Sequence, residues 1–150
     1  MKISTKGRYG MRILLDLALH KGTEPRMLRD IAKSQGLSEK YLSRLIIELR
    51  QAEMVESVRG AKGGYHLAKD PKEITLLEII EVMEGPVGIV NCVYKDNKKF
   101  CDRIETCGPR EVLTIVNEKI RQVLAESTLQ DMLDRQAEID IDSVTWDFCI

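Results

Sequence analysis

The chain has 150 residues, 43% of them hydrophobic and 31% charged, with a net charge of −1; this supplies a folded core and excludes collagen-like or disordered composition. No apolar run approaches the roughly 20 residues of a membrane-spanning helix, and the opening MKISTKGRYGMRILLDLALH lacks the uninterrupted apolar stretch of a signal peptide. A cytoplasmic protein without membrane contact is therefore expected.

A first helix is expected after Ser4 or Thr5, either of which accepts a free backbone N–H as an N-cap. Met11, Leu14, Leu15, Ala18 and Leu19 recur at three-to-four spacing as its apolar stripe, and Gly22 suits the left-handed position past its end. Pro25 leads into a short second helix over about Leu28 to Ser34, closed by Gly36. Ser38 then caps a third helix over roughly 39–53. In it Leu42, Leu45, Ile46 and Leu49 face inward, and Lys40, Tyr41, Ser43, Arg44 and Arg50 stay outside. Two helices joined by a tight glycine-containing turn form a helix-turn-helix, whose second helix reads base edges.

MVESVRGAKGGYHLAK follows as a hairpin, with alternation over Met54 to Val58 and Tyr65 to Leu67. Its tip, Arg59 to Gly64, is glycine-rich and carries two cations. Taken alone it is an ordinary β-hairpin; directly after a helix-turn-helix it reads as a wing. Pro71 breaks the chain, and Thr75 and Glu78 form a capping box that opens a helix to about Glu84, ended by Gly85-Pro86. Gly88 to Cys107 has no helical or strand period and reads as a loop. Pro109 starts a long helix to about Glu126, with Val112, Ile115, Val116, Ile120, Val123 and Leu124 on a broad apolar stripe. Pairing with a second copy is the natural way to cover that stripe, and packing on the winged domain is the alternative. Ser127-Thr128 re-caps a short helix, and the tail to Ile150 carries no signal.

The expected fold is mainly α with a small β-hairpin: a winged helix-turn-helix followed by a long C-terminal dimerisation helix. Its expected divisions are a DNA-binding domain at 1–70, a helix with a cysteine-containing sensor loop at 71–108, and a dimerisation helix with tail at 109–150.

The charge is divided to match. Residues 1–69 carry 14 Lys/Arg against 7 Asp/Glu, whereas residues 70–150 carry 9 against 17. A basic half of this kind meets a polyanion, with nucleic acid favoured. Phosphate contacts come from cations, hydroxyls and helix N-termini. The candidates are Thr5, Lys6 and Arg8 at the first helix, then Ser38, Lys40, Tyr41, Ser43 and Arg44 at the recognition helix. Arg59 and Lys62 in the wing can enter a minor groove, whose negative potential attracts cations.

A second constellation is Cys92-x8-Cys101-x5-Cys107. It lacks the CxxC pairs of a zinc ribbon and has no histidine beside it. Three thiolates in one polar loop suit a soft metal or an iron–sulfur cluster with a fourth ligand from elsewhere; three unrelated free cysteines are the other reading. Cys149 reads as incidental. An enzyme using Cys107 as nucleophile would need a base nearby, and the chain's two histidines, His20 and His66, fall on the first helix and the wing strand. An enzyme is not expected.

MKISTKGRYGMRILLDLA, LSEKYLSRLIIELRQAEMVESVRGAKGGYHLAKDPKEIT and EVMEGP resemble the Rrf family of winged-helix regulators over roughly residues 1–135. The resemblance implies a homodimer joined by the long C-terminal helix, binding a pseudo-palindromic double-stranded DNA operator as a repressor. In cluster-bearing members three loop cysteines are ligands, and the matching positions are Cys92, Cys101 and Cys107, for a [2Fe-2S] or [4Fe-4S] cluster. The family's iron–sulfur regulator has a ligating histidine where this chain has Arg110. Its nitric-oxide sensor has an acidic ligand in the region where this chain has Arg8 and Tyr9. The fourth ligand stays open, between Asp96, Asp102, Glu105, a backbone group and an exogenous thiol. The family also offers an alternative: a metal-free thiol regulator, or a repressor of sulfur metabolism controlled by a protein partner.

Overall fold

The computed structural model describes residues 2–22, 24–60, 62–93, 101 and 103–146, with 141–146 described by backbone only. Six helices and one antiparallel hairpin are present among them: α1 (Thr5–Leu19), α2 (Leu28–Gln35), α3 (Glu39–Gln51), β1 (Val55–Val58), β2 (Gly64–Leu67), α4 (Leu76–Glu84), α5 (Gly108–Glu126) and α6 (Leu129–Trp146). Short 3₁₀ turns occupy Pro71–Glu73 and Asn91–Val93. No described helix is long and apolar enough to cross a membrane. The fold is mainly α, a winged helix-turn-helix, as the sequence pattern implies.

Local chemistry sets the element boundaries. Ser4 Oγ caps α1 by accepting from the backbone N–H groups of Lys6 and Gly7. The Ser4 N–H in turn donates to Glu84 Oε1 at 2.8 Å, pinning the start of α1 to the end of α4. Ser38 caps α3 by accepting from the Tyr41 N–H. Gly36 ends α2 at φ +64°, a left-handed conformation that favours glycine and turns the chain into α3. The Thr75/Glu78 capping box is formed as expected at α4.

Helix α1 packs against α2, α3, α4, α6 and β2. This corrects the single stripe read from the sequence: Leu14 and Ala18 are buried, but so are Ile13 and Leu17, whereas Leu19 is 52% exposed. A central helix buries more than one face, so no single three-to-four series describes it. On α3, the inward half of the pattern holds: Leu42, Leu45, Ile46 and Leu49 are all buried. They join Met54, Val55, Ile74, Ile79, Met83 and Leu129 in one core cluster.

In the hairpin Val55 pairs with Leu67 and Val58 with Gly64. Arg26 adds an isolated bridge to Tyr65 on the free side of β2, the N–H of each donating to the carbonyl of the other at 2.9 Å. Gly64 is required there, because a Cβ would collide with the Arg26 carbonyl oxygen, a backbone atom that cannot step aside.

The segment after Thr128 is not the short helix expected: α6 runs 18 residues. Thr128 and Asp131 cap it reciprocally, the Thr128 N–H donating to Asp131 Oδ2 at 2.6 Å and the Asp131 N–H to Thr128 Oγ1 at 3.3 Å. The bonds that the Thr128 N–H and hydroxyl donate to its carboxylate hold Asp131 below the usual carboxylate range. Helix α5 is held to the rest of the chain by Arg121, which donates to Glu81 of α4 and to the Val87 carbonyl. Asn117 is buried on the same side, its Oδ1 accepting from the Ile89 N–H at 3.1 Å. The other side of α5 is bare: Val112, Ile115 and Val123 are 62, 60 and 60% exposed.

Candidate functional site

The recognition-helix candidates are laid out by the cap of α3. Ser38 is committed to capping, and Ser43 Oγ donates to the Lys40 carbonyl at 3.0 Å. Lys40 and Arg44 stand exposed. Tyr41 departs from the outward placement expected: it is half-buried, packs on the core and meets the Tyr9 ring edge-on, with centroids 6.1 Å apart and planes at 80°. An edge-to-face pair of this geometry locks both rings.

At the start of α1, Thr5 and Arg8 are exposed, and Arg8 Nη2 donates to Thr5 Oγ1 at 3.3 Å. Lys6 is ion-paired with Glu48 of α3 at 2.6 Å. The Lys6–Glu48 pair and the Tyr9–Tyr41 contact thus bring the α1 and α3 candidates together. In the wing Arg59 is exposed and Lys62 pairs with Glu24 at 2.8 Å, both partners being largely in solvent. Such a pair costs little to open.

Sequence reasoning missed a polar group inside this assembly. Asp16 of α1 is 5% exposed. Its carboxylate accepts from Arg26 Nε at 3.1 Å, from Ser34 Oγ and from Gln35 Nε2 at 3.2 Å. Burial pushes its pKa up, but the hydrogen bonds from Ser34, Arg26 and Gln35, with the Arg26 charge, outweigh this and hold it below the ordinary value. The readable signal was position: Asp16 stands three residues after Ile13, on a buried face of α1.

The three loop cysteines are free thiols that occupy different environments. Cys92 lies half-buried in the 3₁₀ turn, Cys101 is exposed, and Cys107 is the half-buried N-cap residue of α5. Among the described residues, no three His, Cys, Asp or Glu side chains are grouped so as to hold a metal ion. Asp96, Asp102 and Cys149 fall outside the described residues. Glu105 and Cys107 share a surface depression of about 160 Å³ with Ile104, Arg110 and Glu111. Arg110 Nε donates to the Cys92 carbonyl at 2.9 Å, tying the first turn of α5 to the cysteine at the other end of the loop. His20 and His66 instead line a cavity between the end of α1 and β2, so neither is set beside Cys107 as a base.

Comparison with known proteins gives a consistent result. The Rrf2 family model, described as an iron-dependent transcriptional regulator, matches residues 3–135. The HTH-type transcriptional regulator CymR of Bacillus subtilis is 42% identical over 132 residues, covering 88% of this chain and 89% of that protein. The HTH-type transcriptional regulator IscR of Photorhabdus laumondii is 33% identical over 141 residues, covering 94 and 84%. Among solved structures, CymR, the global cysteine regulator of B. subtilis, superposes with a TM-score of 0.75 at 40% identity, over 90% of this chain and 98% of that one. T. potens IscR superposes with a TM-score of 0.73 at 41% identity, over 93 and 90%.

Proposed function

The chain belongs to the Rrf2 family of transcriptional regulators, and we propose from that premise that it is a dimeric repressor that binds a specific double-stranded DNA operator under the control of an iron–sulfur cluster. It is a regulator and not an enzyme, as its named relatives are.

The observation that carries the DNA reading is the joined surface of α1 and α3. Thr5, Arg8, Lys40 and Arg44 are exposed on two helices clamped by Lys6–Glu48 and Tyr9–Tyr41. Because the two helices are already joined, only the freedom of these side chains, and not that of the backbone beneath them, is lost when they meet phosphates. Ser38, Tyr41 and Ser43 act there by shaping the first turn of α3, and Arg59 and Lys62 supply the wing contact. Dimerisation is supported by the bare stripe of α5. Fully burying an aliphatic side chain is worth about 1.5–3 kcal/mol, so covering Val112, Ile115 and Val123 with a second copy is strongly favourable.

Cys92, Cys101 and Cys107 are the proposed cluster ligands. The donor set fits: thiolates are the usual ligands of such clusters, and all three lie on the segment that joins α4 to α5. A bound cluster supplies a redox-sensitive centre whose gain or loss changes what that segment is tied to. Arg110 cannot ligate, so the fourth donor is sought in Asp96, Asp102, Glu105, a backbone group or an exogenous thiol. Anaerobic reconstitution with iron and sulfide tests the reading. A coloured protein whose iron content falls on Cys→Ser substitution at any of the three positions supports it; a colourless, iron-free protein refutes it.

The identity with CymR favours a second reading in which the same DNA-binding dimer answers to thiol chemistry without metal, or to a protein partner in sulfur metabolism. Retained operator control in a protein that binds no iron would select it.

A further inference from the structure

Helix α3 leads directly into β1 and shares the core with it through Leu49 and Val55. The other strand of the wing, β2, is held from its free side, and wing and helix must meet one duplex. Two segments that carry them meet at Asp16, and a third set of contacts runs on from there to α3. The first is Arg26, whose backbone is hydrogen-bonded both ways to Tyr65 of the wing and whose guanidinium lies on the Asp16 carboxylate. The second is the end of α2, where Ser34 and Gln35 donate to Asp16 immediately before the Gly36 turn into α3. The third runs outward from Gln35: its Oε1 accepts from Arg12 Nε at 2.9 Å, the Arg12 guanidinium sits 5.5 Å over the Tyr9 ring, and Tyr9 abuts Tyr41 of α3.

We propose that Asp16 is the positioning residue that holds the wing and the recognition helix in one fixed relation, so that both engage DNA at once. The inference rests on the DNA-binding reading above. A carboxylate is needed because its two oxygens accept from Arg26, Ser34 and Gln35 together. An asparagine offers one acceptor oxygen and turns an N–H₂ donor toward groups that are donors themselves. The Arg26 guanidinium, 22% exposed, then loses its counter-charge, and the free side of β2 keeps only the backbone bridge, while Val55, Tyr65 and Leu67 still pack on the core.

Two measurements test this, on Asp16→Asn and on the milder Ser34→Ala, which removes one donor should the first variant fail to fold. In amide hydrogen exchange of the free protein, the Tyr65 and Arg26 amides are expected to exchange about tenfold faster, while those of Leu45 and Leu49 keep their protection, since local opening leaves the core intact. A merely structural role would raise exchange along the whole chain, or nowhere near the wing, and either result overturns the proposal. The second measurement uses a duplex selected by the wild-type protein from a random-sequence pool. Arg59→Ala is expected to weaken its binding about tenfold in the wild type but less than twofold in the Ser34→Ala or Asp16→Asn background, whereas Arg44→Ala costs the same factor in both, because coupled sites are non-additive and independent ones add. Equal costs of Arg59→Ala in both backgrounds overturn the proposal. If the pool yields no bound duplex, the DNA reading itself fails, and the exchange measurement alone decides whether Asp16 holds the wing.

Discussion

The two ends of the molecule differ in how far a single chain completes them. In the winged half, α1 is enclosed by α2, α3, α4, α6 and β2, and its buried carboxylate has three donors. In the other half, α5 has one satisfied side, with Asn117 and Arg121 bonded to the segment after α4, and one bare side of valine and isoleucine. The first is a finished reading head. The second has its polar bonds made and its apolar face uncovered, which is the face the proposed dimer would cover.

That contrast can be broken in four ways, in order of effect. Truncation of Leu45, a fully buried residue of α3, should cost about 2–5 kcal/mol of stability, read by urea denaturation, while Val112→Ala on α5 should cost the isolated subunit less than about 0.5 kcal/mol. Equal losses would erase the distinction between the two halves. Next, Ile115→Asp should leave the helical circular dichroism intact and weaken self-association about a hundredfold in sedimentation equilibrium, since it places a charge in the centre of an apolar contact. A dimer of unchanged affinity would place the interface elsewhere.

Arg44→Ala and Arg59→Ala should each reduce operator affinity about tenfold and lower the slope of log affinity against log salt by about one, as loss of a phosphate contact does. Unchanged binding at moderate salt would remove that residue from the interface. The smallest effect is on pH. Asp16 has a folded-state pKa below its unfolded value. Its contribution is therefore fully present above the unfolded value of about 3.9 and is lost as pH falls through the folded one. Acid titration of unfolding should show a steeper loss of stability below about pH 4 in the wild type than in Asp16→Asn. Identical acid limbs would show that the hydrogen bonds to Asp16 do not stabilise its charged form.

Helix α3 shows how much of this a linear pattern can hold. Its cap, its approximate span and its four inward leucine and isoleucine residues follow from 3.6-residue periodicity, because one face of it carries all of its fully buried side chains. Helix α1 defeats the same reading: with neighbours around it, Ile13 and Leu17 are as buried as Leu14, and Leu19 escapes. Tyr41 fails for a related reason, since its outward position on α3 is an inward one with respect to Tyr9 of α1. The length of α6 was hidden because Leu129, Met132 and Leu133 pack on a core assembled from distant segments, and the acidic residues that follow carry little apolar contrast.

The sequence by itself determined the winged helix-turn-helix, its caps and turns, the basic half, the apolar stripe of α5 and the three-cysteine segment, because each is written in residues close together along the chain. Only the tertiary structure decided what Asp16, Arg26 and Arg110 do. Their partners are Ser34 and Gln35 on another helix, a bridge to the wing, and the carbonyl of Cys92 across a loop. A polar side chain declares its partner only when folding brings distant donors and acceptors within about 3 Å of each other, a separation that no local period encodes.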